Sequence, residues 1–355
     1  MKNFAPKNSL KNNQFLLICF VLFTSLIPNF MHSQEYRFID SYMDDFGKNE
    51  MFVKKALMDY SVTIVESQMD SRSKVAAQRI VEKLEKMNSI LINTNKGFEG
   101  NTFLRDSFIK MNEKTIACLI NGSLILNDYE YQSSLSFSEI RENMNRKERE
   151  VISYYQELKT YEKNKRTFGT QYNVNFKNSI GKNILEYNAY QNFIFYKMNV
   201  IDQKLMSLIK AKDQKGFYDC FNTIEVMNQE AIAKTNQYRC DYKDNSMNDA
   251  NVKFSNFINN QKGKLTLLFN DFAADYKALE LLKNSTAPET TASIAAYNVV
   301  VRTYNTKKNL FYAAFDAIQI SKKALYNSWF VTNSTFLKRN GEFEDIHQEG
   351  YVINN

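Results

Sequence analysis

The sequence predicts an all-α protein: two tandem antiparallel (up-down-up-down) four-helix bundles of long helices, following an export signal. Three observations predict it. Apolar residues recur at helical steps over long stretches. Ile180, Ile184, Tyr187, Gln191, Ile194, Met198, Ile201, Leu205 and Leu208 follow one another at intervals of 4, 3, 4, 3, 4, 3, 4 and 3 residues, which is one face of a continuous helix. At about 1.5 Å per residue that helix runs roughly 43 Å, and Leu185, Phe193 and Phe195 widen its apolar face as a bundle core requires. Helix breakers are scarce, with three prolines in 355 residues. Pro28 ends the leader, and Pro288 sits where a helix would begin. Glycines such as Gly97, Gly122, Gly169 and Gly216 fall between periodic segments, which makes the connections short.

The N-terminus has the layout of a secretory signal. Lys2, Lys7 and Lys11 are followed by an apolar run from Phe15 to Ile27, Pro28, and the sequence Met31-His32-Ser33-Gln34. Thirteen apolar residues fall short of the about 20 that cross a bilayer, so residues 1–33 are expected to be removed near Ser33-Gln34. Cys19 lies inside the apolar run and follows Ile18, where lipoprotein processing wants a small residue. A lipid anchor on Cys19 is therefore not expected. Loss of 33 residues and three lysines from 355 residues and a formal charge of +7 leaves 322 residues and +4. That length exceeds one comfortable core and argues for two domains. The charge is mild and mixed, as in Arg146-Lys147-Glu148-Arg149-Glu150, with no basic stripe interleaved with aromatics for nucleic acid.

In chain order, a first helix is expected from near Tyr36 to Met69, with Asp70-Ser71-Arg72-Ser73 as turn and N-cap. The second spans roughly Lys74 to Asn95, with Val75, Ile80, Leu84, Met87 and Leu91 inward, and stops before Gly97. The third covers about Asn101 to Leu126 and loosens at Asn121-Gly122. The fourth runs from Ser134 to Thr167 and carries Ile140, Met144, Val151, Tyr155 and Leu158. Phe168-Gly169-Thr170-Gln171 is the expected hinge, dividing a first bundle (residues 34–168) from a second (169–337). The second bundle contains the Ile180–Leu208 helix and a helix with Phe217, Phe221, Ile224, Met227 and Ala231. A polar connection from Asp241 to Asp249 leads into one long helix with Phe254, Ile258, Leu265, Leu268, Phe272 and Leu279. The last helix begins near Pro288 and shows Ile294, Tyr297, Val301, Tyr304, Phe311, Phe315, Ile318, Leu325 and Trp329. Residues 338–355 read as an irregular tail. Leu57–Met69 can be laid on Tyr187–Asn199, and Ser107-Phe108-Ile109 on Asn256-Phe257-Ile258, at offsets that differ by 19 residues, which is suggestive of a duplication.

The residues that carry chemistry are few. His32 lies in the leader and His347 stands alone in the tail, so the paired Glu-x-x-His motifs of di-iron and di-manganese bundles cannot be supplied to the core. Ser-His-Asp and Cys-His devices and Cys/His zinc sites fail for the same reason. Asp241, Asp244, Asn245, Asn248 and Asp249 form an oxygen-rich stretch. Against the calcium-loop pattern, however, Lys243, Ser246 and Val252 occupy three required positions, so a solvated loop is expected. Asp44-Asp45-Phe46-Gly47 reads as a helix breaker. Cys220 and Cys240 fall along one predicted helix about 30 Å apart and cannot bridge. Pairing of Cys118 with either remains open, and buried free thiols are the favoured reading. Most of the 27 Phe and 21 Tyr belong to the core, while Tyr129, Tyr131 and Tyr161 are candidates for an exposed contact surface. Gln191, Lys308 and Lys322 interrupt apolar rows as register-setting or snorkelling residues, or as parts of a ligand cleft. No catalytic residue, cofactor or metal is expected.

Tyr187-Asn188-Ala189-Tyr190, followed by Ile194 and faintly echoed by Tyr60 and Ile64, resembles the Tyr-Asn-x-Tyr motif that opens a helix in an uncharacterised family of surface proteins of spirochaetes and Bacteroidota. That resemblance implies an exported protein of two tandem all-helical halves and brings no catalytic residues with it. The expectation is an exported, non-enzymatic binding or structural module of the bacterial cell envelope, periplasmic or on the surface, with an envelope or extracellular partner. The alternative is a carrier holding a small ligand or metal ion between helices.

Overall fold

A computed structural model describes residues 36–66, 72–121, 129–176, 184–237, 244–284, 290–340 and 350–353. The expected leader with Cys19 and His32, and also Ile180, Cys240, Asp241, Pro288 and His347, lie outside the described residues. Of the described residues 89% are helical. The helices are α1 (Ile39–Glu66), α2 (Arg72–Thr94), α3 (Phe103–Ile120), α4 (Tyr129–Ser134), α5 (Phe137–Gln171), α6 (Ile184–Ala211), α7 (Gln214–Gln237), α8 (Ser246–Asn260), α9 (Lys262–Lys283) and α10 (Thr291–Asn340). Strand β1 (Val174–Phe176) pairs antiparallel with β2 (Tyr351–Ile353), placing Val174 opposite Ile353 and Phe176 opposite Tyr351. Among the described residues no helix is long and apolar enough to cross a membrane.

Local chemistry sets the helix ends. Ser136 opens α5 with a capping box: its hydroxyl accepts from the Glu139 N–H, and the Glu139 carboxylate accepts from the Ser136 N–H. Between α2 and α3 the chain reverses through Gly97 (φ +79°) and Gly100 (φ +76°). A side chain at Gly97 would also strike the Asn101 carbonyl, so glycine is required there. Asp213 starts α7, its carboxylate accepting from the Gly216 N–H at 2.9 Å.

Sequential helices pack as neighbours: α1 on α2, α2 on α3, α3 on α5, α6 on α7, α7 on α8, and α8 and α9 on α10. The two halves also touch. Helix α4 lies against α6, and α10 reaches back to α1. The principal apolar cluster runs unbroken from Tyr42 in α1 through Phe108, Phe195, Phe217 and Phe269 to Leu337 in α10. Its centre is α6, in which every residue from Tyr190 to Asp202 is buried. Over that stretch α6 is covered on all sides and has no solvent face, and its exposed residues, Ser207, Lys210 and Ala211, lie in its last two turns.

Several expectations are corrected. Phe168-Gly169-Thr170-Gln171 is the last turn of α5 and not a hinge, with Phe168 and Gly169 buried. Gly169 is there for close approach, since a Cβ would come within 2.7 Å of the Val174 carbonyl and 2.6 Å of the Phe176 ring. Asp44-Asp45-Phe46-Gly47 does not break α1, because Phe46 anchors that turn in the core. The single long helix expected over Phe254–Leu279 is two, α8 and α9, parted at Gln261. The polar, glycine-containing run Asn259-Asn260-Gln261-Lys262-Gly263 has little helix propensity to hold it. Val75 and Ile294 are exposed, not inward. The tail expected to be irregular contributes the end of α10 and strand β2.

Candidate functional site

The polar residues of α6 make the most specific arrangement in the molecule. Asn188, Gln191 and Asn192 stand at positions i, i+3 and i+4, so they share one helix face, and all three are buried. Asn333 of α10 meets that face. Asn188 Nδ2 donates to Asn333 Oδ1 (2.6 Å), Asn333 Nδ2 to Asn192 Oδ1 (2.6 Å), and Asn192 Nδ2 to Asn188 Oδ1 (2.9 Å). Three side-chain amides thus close a ring in which each donates once and accepts once.

A second set joins α6 to α8 and α10. The Tyr187 hydroxyl and Gln191 Nε2 both donate to Asn248 Oδ1, at 2.5 and 2.8 Å. Asn251 Nδ2 donates to Gln191 Oε1 at 2.7 Å, and Trp329 Nε1 donates to Asn251 Oδ1 at 2.8 Å. The Trp329 ring stacks on Phe195 with centroids 3.8 Å apart. Four of the six residues in Tyr187-Asn188-Ala189-Tyr190-Gln191-Asn192 therefore serve to lock α6 against two partner helices. Amides buried without partners would each cost about 1–3 kcal/mol; here they satisfy one another.

Charged groups form three further clusters. Glu148 of α5 accepts from Lys197 of α6 at 2.6 Å and from Lys234 of α7. Burial raises the Glu148 carboxyl, but the two lysines outweigh it and hold it below its ordinary value. Burial lowers Lys197, and Glu148 offsets only part of that. Asp202 of α6 pairs with Lys322 of α10. In the first half, Glu50 of α1 accepts from Lys165 Nζ of α5 (2.6 Å) and from the Tyr161 hydroxyl. Burial first, then Glu50, push that hydroxyl's pKa well up.

The sequence candidates are placed as follows. Gln191 belongs to the amide network and Lys322 to an ion pair, while Lys308 lies over the Tyr304 ring at 5.9 Å. Tyr131 is exposed, but Tyr129 and Tyr161 are buried, because Tyr129 packs on Tyr196 and Tyr161 on Phe108. In the oxygen-rich connection, Asp244 accepts from Asn340 Nδ2 (3.0 Å) and the Ser246 N–H (3.1 Å), and Asn248 is committed to the amide network. Cys118 and Cys220 are free and buried; burial pushes the Cys118 thiol up to about 11 and raises Cys220 further. An open groove of about 660 Å³ lies between α2 and α3, with Ile92, Ile116 and Ile120 beside Glu85, Asn88 and Glu113. Among the described residues no group of three or more His, Cys, Asp or Glu side chains converges.

The amide ring and the Glu148 cluster escaped the sequence reading. Their trace was present as polar side chains repeated at helical steps inside apolar rows: Asn188, Gln191 and Asn192, then Asn248 and Asn251, then Trp329 and Asn333. Comparison of the chain with protein-family models, curated proteins and solved structures finds no match in any of the three.

Proposed function

We propose that the protein is an exported, non-enzymatic helical module of the bacterial cell envelope that works as a binding or structural scaffold. Its architecture is read as two antiparallel helical sets, α1–α5 and α6–α10, joined where α4 lies against α6 and α10 against α1. One observation carries the reading. Many of the buried groups a reaction would recruit are spent on one another: Asn188, Asn192 and Asn333 in a closed ring, Lys165, Lys197 and Lys322 on carboxylates, and both described thiols held protonated by burial. Such a core fixes shape, and shape is what a scaffold supplies. The leader-like N-terminus and the resemblance of the Tyr-Asn-x-Tyr stretch to surface proteins support export.

The test is fractionation of the host with N-terminal sequencing of the recovered protein. Mature chains beginning near Gln34 in the envelope or outside the cell support the proposal. Chains kept in the cytoplasm with residues 1–33 intact overturn it. A carrier remains the second reading, favoured by the apolar and acidic groove between α2 and α3. Native mass spectrometry of protein from its own host separates the two, since a carrier retains a reproducible added mass.

A further inference from the structure

Helix α10 is 50 residues long, about 75 Å at 1.5 Å per residue. One side of it packs on α8, α9 and α1. The opposite side is uncovered among the described residues. Val299, Leu310, Ile320 and Val331 are 61%, 56%, 74% and 66% exposed, and at 100° per residue they fall within one narrow sector. Ala313, Ala317 and Ala324 lie in the same sector and are exposed as well. From Ala295 to Thr335 this face advances in steps of 3 and 4 that average about 3.6 residues, so it stays on one side of a straight helix. Between Thr306 and Thr335 it carries no charged residue. A soluble outer face of that length ordinarily carries charge.

We propose that this stripe is the interface between two copies of the chain, packed α10 against α10 in antiparallel, two-fold symmetric fashion. The occupant is indicated by the charges on the stripe's flank. Asp316 and Lys323 are exposed, stand seven residues apart on the same side of the stripe, and bracket its centre. In an antiparallel two-fold pair like flanks face each other. A centre midway between Ala317 and Ile320 lays Ala313 of each copy against Ala324 of the other, and brings Asp316 to within about 3 Å, along the helix axis, of the level of Lys323 in the second copy. A parallel pairing would bring opposite flanks together and lose both charge contacts. The alanines near the centre allow close approach of the helices. Centred there, the stripes of the two copies overlap over about 50 Å, and at about 10 Å wide the contact covers roughly 500 Å² on each copy, or about 1,000 Å² in all, the lower bound for a specific interface.

The experiment is sedimentation analysis at micromolar concentration of protein from the full-length coding sequence, recovered as the cell processes it. A dimer is expected. Asp316→Lys places like charges opposite each other twice and should weaken dimerisation by about tenfold or more; Asp316→Lys with Lys323→Asp should restore it. Ala317→Glu, at the centre, should give monomers of unchanged helical circular dichroism. A monomeric wild type overturns the proposal and leaves the stripe to a different kind of partner. So does a dimer indifferent to all three variants.

Discussion

Asn333 is the residue on which the amide ring closes, because it alone comes from a second helix. Its replacement by alanine leaves an Asn188 N–H and an Asn192 carbonyl buried without partners, at about 1–3 kcal/mol each. Asn333→Ala should therefore lower the urea-unfolding free energy by about 2–5 kcal/mol. Replacing all three asparagines by leucine removes every polar member at once and should cost less than the sum of the three single changes, since no half-satisfied group remains. Additive losses would mean the three amides act separately. Glu148 supplies a pH-dependent counterpart. Its carboxyl titrates lower in the folded chain than in the unfolded one, so it contributes stability above about pH 4.3. That contribution is lost as pH falls through its depressed folded value, when two lysines are left beside a neutral acid. The urea midpoint should fall on acidification in the wild type, and Glu148→Gln should be less stable at neutral pH with a shallower acid decline. An identical slope in both would remove Glu148 from that role.

At the scale of the element, the end of α5 shows how a local cue can point the wrong way. Phe168-Gly169-Thr170-Gln171 has the composition of a hinge, but its glycine leaves room for β1, whose partner β2 arrives from residues 351–353. Gly169→Ala would put a methyl into the Phe176 ring and the Val174 carbonyl, and overpacking of that kind costs about 1–3 kcal/mol. A fall in thermal midpoint is expected, with the β1–β2 amides losing hydrogen-exchange protection first. An unchanged midpoint would mean the close approach is slack. The periodicity of α6 was legible to the residue: Ile184, Tyr187, Gln191, Ile194, Met198, Ile201, Leu205 and Leu208 are all buried. That its other faces are buried too was not, because α4, which covers one of them, is a six-residue helix with no periodic signal of its own.

For the whole molecule, a continuous apolar cluster joins both halves, and Glu148 with Lys197 and Lys234 ties α5 to α6 and α7. Such coupling predicts one cooperative unfolding transition, with circular dichroism and Trp329 fluorescence losing signal at the same midpoint. Trp329 reports on the second half and helicity on both. Two separated transitions would show halves that fold independently.

The sequence by itself determined that the chain is helical, most helix boundaries to within a few residues, and most inward faces. Those features depend on neighbours three and four positions away, and each stretch carries them whole. Only the tertiary structure decided that α6 is a central rod, that a tyrosine and amide motif on it is a lock completed by Asn248, Asn251, Trp329 and Asn333, and that Tyr129 and Tyr161 face inward. Each of these rests on residues tens to more than a hundred positions apart. Where such groups meet is set by how the packed helices divide the interior, which no local period records.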